Sequence, residues 1–336
     1  MPKRDIFVIG GSAGSGGALK ELVSGLPKDF PGSLFITTHL PSDHRSYLPE
    51  LLSAASKIPV TSAIDGQPVE PGHAYVAAAD RHLLLLGDTI RLGAGPRENM
   101  VRPSIDPMFR SAALSYGPRA VGVILSGLLN DGASGLYAIK QAGGTAVVQH
   151  PLDAVEDQMP RAALEAVEAD HVARAGDMGE VLQHIAASDA GPEVATPEIL
   201  AFEVEVAAGE RLGSENLRKF AKPATLTCPD CQGVLSEVSG EKPLRFRCQI
   251  GHAFTAEELA SHHVAVDEAV RVAMRIMEER VELVDRMAKD ARASGRAAVA
   301  ELYEERATEY RRYATTLRGA ALLTLRMTRE LDREPG

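Results

Sequence analysis

A doubly wound α/β domain on a mostly parallel sheet, followed by a small metal-binding module and an α-helical hairpin, is the architecture this 336-residue sequence predicts. Three observations carry it. Over residues 1–187, short Val- and Ile-rich runs alternate with helix-patterned stretches. All 3 cysteines fall between positions 228 and 248. From Glu257 almost to the end the composition is helical, with a single break at ARASGR (291–296).

The strand-like runs are IFVIG (6–10), SLFITTH (33–39), AVGVILSG (120–127) and TAVVQ (145–149), each closed by a turn signal. Helix-like stretches lie between them: GALKELVSGL (17–26), PMFRSAALSYG (107–117) and GLYAIKQAGG (135–144). Near-continuous apolar strands separated by helices imply a parallel sheet covered on both faces. Residues 66–93 differ, with turn residues and short extended runs crowded together, and predict an antiparallel addition to the sheet. SDAGPEVATPE (188–198) has linker composition, so 188–222 is assigned as linker and connecting segment. The cysteine module takes 223–256 and the helical hairpin 257–336. In the hairpin's first helix Val270, Ala273, Met277, Val281 and Val284 trace one apolar stripe; residues 297–331 form the second. Such a stripe predicts packing.

The length exceeds what a single core usually holds. A net charge of -10 argues against a nucleic-acid binder or a protein of anionic membranes. No apolar run is long enough to span a bilayer, and MPKRDIFVIGG enters a strand without a cleavable signal, so a cytoplasmic chain is expected. Three clustered cysteines suit a metal site better than a disulfide framework.

The stretch IFVIGGSAGSGGALKEL (6–22) joins a strand to a helix through glycines, as phosphate-binding loops do. A phosphate loop needs Lys and then Ser or Thr after the last glycine, and Gly17-Ala18 stand there. A dinucleotide loop needs an acidic residue at the end of the second strand, which here ends Thr37-Thr38-His39. Gly10-Gly11-Ser12-Ala13-Gly14 fits a nucleophile elbow instead: glycines allow the tight turn, and helix N–H groups wait beside the hydroxyl. A serine nucleophile needs a base, and the base an orienting carboxylate. His39 ends the second predicted strand and Asp131 follows AVGVILSG, so all three are expected at the carboxyl edge of the sheet. Singly, each could be a turn residue or a structural histidine; together they predict a triad.

The ordered set IGGSAG, THLP, PGHAYVA, RPSIDPMFRSAA, LSGLLNDGASG and MPRAA resembles the catalytic domain of the chemotaxis protein-glutamate methylesterases (CheB), over about residues 4–185. The resemblance implies a three-layer α/β/α fold. It also implies hydrolysis of glutamate γ-methyl esters on the cytoplasmic helices of chemoreceptors, in many members with deamidation of receptor glutamines. It places the nucleophile at Ser12, the base at His39 and the orienting carboxylate at Asp131. Backbone N–H groups of Ser12 and Ala13 are expected to form the oxyanion hole, and no cofactor is expected for catalysis. The chain starts at the first esterase strand, so the family's phosphorylatable receiver domain is not expected within it. A methionine that the family carries three residues before the aspartate is Leu128 here, and Arg102 of NMVRPS is a candidate substrate contact or a structural ion pair.

Cys228-x₂-Cys231 and Cys248-x₃-His252 supply four tetrahedral ligands, as a structural zinc prefers. With all four positions filled no site remains for a substrate water, so metal removal is expected to loosen the tail and spare the esterase site. The helical hairpin is expected to serve docking or self-association. The expected partners are a methylated chemoreceptor and the pathway of its glutamate methyltransferase. Two alternatives remain: a signalling adaptor with reduced activity, and an esterase or amidase with a non-receptor substrate.

Overall fold

The computed structural model describes residues 2–39, 46–210, 214–240, 242–261 and 264–331. Two compact units divide the chain, Met1–Leu259 and Ala260–Gly336.

In the first unit the chain opens with β1 (Ile6–Gly11), α1 (Ser15–Gly25), β2 (Ser33–Thr38), α2 (Leu48–Ala55), β3 (Val60–Ser62) and β4 (Ala74–Val76). A hairpin follows, β5 (His82–Leu86) and β6 (Thr89–Gly93), then α3 (Ile105–Tyr116) and β7 (Ala120–Ile124). The α/β part closes with α4 (Ala133–Gln141), β8 (Thr145–Gln149), α5 (Gln158–Ala166), β9 (His171–Ala173) and α6 (Ala175–Ala187). Seven strands make one sheet in the order β3-β4-β2-β1-β7-β8-β9, and every neighbouring pair is parallel. Because side chains alternate along a strand, Phe7 and Ile9 pack toward Leu19, Leu22, Leu52 and Met178, while Ile6 and Val8 pack toward Phe109, Leu136 and Ala163. Helices α1, α2 and α6 therefore cover one face and α3, α4 and α5 the other. The expected three layers are present.

Strand order reverses direction between β1 and β7, which opens a crevice at the carboxyl ends of those two strands. Residues 66–93 correct the expectation. Ala74–Val76 joins the main sheet in parallel, while β5 and β6 pair antiparallel in a sheet of their own packed beside α3. Alternation of short apolar runs did not distinguish the two outcomes.

The stretch expected as a linker, 188–222, holds α7 (Glu198–Ala208) and α8 (Ser214–Phe220). Leu200 of α7 is buried in the α/β core. The cysteine module follows as an antiparallel sheet, β10 (Ala221–Thr227), β11 (Val234–Val238), β12 (Arg245–Cys248) and β13 (Ala253–Thr255), and then α9 (Ala256–Ser261). It is fastened to the α/β body by charge. Glu98, Arg110, Glu203, Arg245 and Arg247 meet with side chains 1–2% exposed. Arg245 Nη2 donates to Glu203 Oε1 at 2.7 Å, Arg247 Nη2 donates to Glu98 Oε1 at 2.9 Å, and Arg110 binds the other oxygen of Glu98. Burial pushes the Glu98 carboxyl up, but Arg110, Arg247 and Arg245 outweigh it and bring it down to about 2. Removing one partner of such a cluster leaves a buried charge uncompensated, at a cost of about 3–5 kcal/mol.

In the second unit α10 (Val264–Ala293) and α11 (Ala297–Leu331) form an antiparallel pair. Val284, Ala288, Ala291, Ala300, Ala307 and Ala314 are buried along its seam, and Arg292–Glu304, Arg311–Asp285 and Arg318–Glu278 pair across it. Of the expected stripe, Val284 is fully buried and the other four residues are half-buried. No helix among the described residues is long and apolar enough to cross a membrane.

Candidate active site

Ser12 follows the last residue of β1, His39 the last of β2, and Asp131 lies in the turn between β7 and α4, all at the carboxyl edge of the sheet. The turn at Ser12 is sterically closed. A side chain at Gly10 would meet Ile105 Cγ2 at 2.3 Å, and Gly14 has φ 73° with Val155 and Ser126 Oγ where its Cβ would go. Ser12 Oγ lies 2.9 Å from His39 Nδ1, and His39 Nε2 lies 2.7 Å from Asp131 Oδ2. An ionised carboxylate only accepts, so Nε2 carries the proton and Nδ1 offers its lone pair to the serine hydroxyl. Leu40 and Pro41 of the THLP motif lie outside the described residues.

Asp131 sits at the N-terminus of α3. Its Oδ1 accepts from Asn99 Nδ2 at 3.0 Å, Ser104 Oγ at 2.8 Å and the Asp106 N–H at 3.3 Å. Its Oδ2 accepts from the Ile105 N–H at 2.7 Å as well as from His39. Burial alone would push this carboxyl up, but His39 and the donors from Ile105 and Ser104 outweigh it and hold Asp131 well below the usual carboxylate range. Neighbouring Asp106 goes the other way, raised to about 7 by burial and by the charge of Asp131. The site thus sets two buried carboxyls side by side with their proton affinities pushed in opposite directions.

The remaining residues singled out in the sequence are placed as follows. The Ser12 N–H donates to Ser126 O at 2.9 Å, so it is committed within the turn and is not free for an oxyanion. The Ala13 N–H makes no hydrogen bond among the described residues and remains the available donor. Arg102 is a structural residue: its guanidinium donates to Asp80 Oδ1 at 3.0 and 2.6 Å and to the carbonyls of Gly95 and Ala94. Leu128 lies on the loop before Asp131 with 45% of its surface exposed. Asn99, Ser104 and Asp106 were within reach of sequence reading, in NMVRPSIDP. No spacing rule marked them as the shell of Asp131.

The four metal-ligand candidates converge. Ligand atoms of Cys228, Cys231, Cys248 and His252 all lie within 4.8 Å of one another. Cys228 Sγ and Cys248 Sγ stand 3.7 and 3.5 Å from His252 Nδ1, and Cys231 Sγ stands 3.6 Å from Cys248 Sγ. A tetrahedral zinc with Zn–S of about 2.3 Å and Zn–N of about 2.0 Å separates its ligands by about 3.5–3.8 Å. The donor set and its spacing fit that ion. Tight knuckle turns are made by Gly251 (φ 109°) on one side and by Gln232 (φ 60°) on the other.

Fold and geometry together define the class: an open parallel α/β domain with a serine, a histidine and an aspartate linked in series at its switch point. Residues 7–182 match the family model for CheB methylesterase, and the chain belongs to that family. It is 39% identical over 188 residues to a protein-glutamate methylesterase/protein-glutamine glutaminase of Methylobacillus flagellatus, covering 54% of this chain and 53% of that one. A protein of the same description from Escherichia coli is 38% identical over 191 residues, covering 56% of this chain and 54% of its own length. The chain spans about half the length of these curated relatives. The crystal structure of the Thermotoga maritima CheB methylesterase catalytic domain superposes with a TM-score of 0.52 at 33% identity, covering 54% of this chain and 97% of that domain.

Proposed function

We propose that this protein is a cytoplasmic serine esterase that removes methyl groups from glutamate γ-methyl esters on chemoreceptor helices. The observation that supports this most is the unbroken series Ser12 Oγ, His39, Asp131 at 2.9 and 2.7 Å, in a domain of the CheB methylesterase family. Ser12 attacks the ester carbonyl as His39 Nδ1 takes its proton, and Asp131, ionised across the working pH range, stabilises the imidazolium. The Ala13 N–H and the start of α1 face the developing oxyanion. Collapse breaks the C–O bond to the methoxy group, which leaves as methanol with the proton from His39. Water then repeats the sequence on the acyl-enzyme: His39 takes its proton, the hydroxide adds, and Ser12 leaves with the proton returned. Glutamine deamidation follows the same path with ammonia as the leaving group.

Cys228, Cys231, Cys248 and His252 would hold one zinc, whose contribution is structural. The α10–α11 pair is assigned to self-association. The test of the substrate class is a mass map of a methylated receptor cytoplasmic fragment before and after incubation. The expected result is loss of one methylene mass at each methylated glutamate. An unchanged map, with a simple activated ester hydrolysed by the same preparation, would move the substrate away from receptors.

A further inference from the structure

The cysteine module reaches the triad. β13 starts one residue after the metal-ligand candidate His252 and runs alongside Glu98 and Asn99, with the Asn99 N–H donating to Ala253 O at 2.8 Å. The Asn99 side chain is held at both ends. Its carbonyl accepts from the Thr255 N–H at 3.2 Å, and its amide donates to Asp131 Oδ1 at 3.0 Å and to Asp106 Oδ2 at 3.1 Å. The amide cannot be flipped, because Thr255 offers only a donor there and Asp131 only acceptors. Thr255 Oγ1 donates to Asn130 Oδ1 at 2.8 Å and accepts from the Glu258 N–H at 3.1 Å, while Asn130 Nδ2 donates to Glu257 Oε2 at 2.8 Å. Asn130 is the residue immediately before Asp131.

We propose that Thr255 is a positioning residue of the esterase, whose hydroxyl ties the metal module to the triad by fixing Asn130, the residue before Asp131, beside a backbone N–H that holds Asn99. This rests on the esterase reading of Ser12, His39 and Asp131. Two features of the backbone support it. Asn99 and Met100 have φ of 49° and 64°, a conformation that persists only where surrounding structure over-determines it, and β13 is that structure here. Glu98, next in line, is clamped by Arg245 and Arg247 of β12, so the module is fastened to the same segment that holds Asn99. The knuckle Cys248–His252 joins β12 to β13, and its ligands set where both strands end. Order at the metal site is therefore transmitted through Thr255 and Asn99 to the Asp131 carboxylate. Metal removal is expected to impair catalysis, contrary to the expectation from sequence that it would only loosen a tail.

The test uses the full chain with Thr255→Val, which keeps the branched shape and the backbone N–H bond to Asn99 but loses the hydroxyl bonds to Asn130 and the Glu258 N–H, and Thr255→Ser, which restores them. Thr255→Val is expected to lower kcat about tenfold or more, as small misplacements of catalytic groups do, with KM within about twofold of wild type. Bound zinc should match wild type, and the fall in melting temperature from the lost hydroxyl bonds should be recovered in Thr255→Ser. The acid limb of the pH–rate profile should move to lower pH, since a displaced Asp131 stabilises the imidazolium less. Thr255→Ser should recover both quantities. Proton NMR supplies a readout that needs no substrate: the far-downfield proton shared by His39 and Asp131 should weaken or shift in Thr255→Val and after chelation, and return in Thr255→Ser and on adding zinc. An unchanged proton resonance in Thr255→Val, whether or not the protein proves active on esters, overturns the proposal. Absence of ester hydrolysis by wild type with that resonance behaving as expected would overturn only the esterase reading.

Discussion

At the scale of residues, the site is governed by where protons are held. Asp131 keeps its charge because five donors face it, and it does so at the expense of its neighbours. Glu258, buried at the start of α9, is raised to about 7 by burial, Asp131 and Glu257, with His39 opposing. An ordinary glutamate releases its proton near pH 4.3, so between about 4.3 and 7 the folded state binds more protons than the unfolded state. In that window stability falls as pH rises. Glu258→Gln removes this contribution. Its urea midpoint is expected to decline less than that of wild type between pH 5 and pH 8; an equal decline would refute the assignment. Of these residues Ser12, His39 and Asp131 were singled out in the sequence, because each lies at or just past the end of a strand-like run. The sequence did not reveal Asn99, Thr255 or Glu258. Their roles arise from a contact between positions more than 150 residues apart, and no periodicity encodes such a contact.

Among elements, the strand–elbow–helix unit at β1 and α1 depends on backbone that only glycine tolerates. Gly14 has φ 73° and faces Val155 and Ser126, so Gly14→Ala adds left-handed strain of about 1–2 kcal/mol to a steric clash. Denaturant unfolding should show a loss of about 2–4 kcal/mol in total. Esterase turnover should fall further than stability alone explains, because Ser12 moves with the turn. Wild-type stability in this variant would mean that the elbow is looser than described. The four principal strands, three helices of the α/β domain and both helices of the hairpin were legible, since each combined a patterned run with a turn signal or break. Helix α7 was not. Its flank SDAGPEVATPE reads as linker, whereas Leu200 and Glu203 are captured by a core and a charge cluster built from distant segments. Residues 66–93 were half legible: antiparallel pairing was expected, but neither its separate sheet nor the parallel strand Ala74–Val76 was.

For the whole molecule, the chain divides after the cysteine module, between Leu259 and Ala260. Glu257 and Glu258 belong with the α/β body, so a cut that removes the helical hairpin must spare α9. Deleting residues 264–336 is expected to abolish self-association in light scattering and to leave ester hydrolysis within about twofold, because the α/β core, the charge cluster and Asp131's donors all lie in the first unit. A variant of unchanged oligomeric state would remove self-association from the hairpin. The four metal-ligand candidates were legible because their spacing is local. The attachment of their module was not, because it runs through buried ion pairs whose partners come from four segments. Every part of this description converges on Ser12 as the nucleophile. Methanol release from a methylated receptor fragment, compared between wild type and Ser12→Ala, tests that most directly. The account predicts steady release by wild type and a fall of roughly 10⁴–10⁶-fold in the variant, as loss of a serine nucleophile produces. Equal release by the two proteins would contradict it.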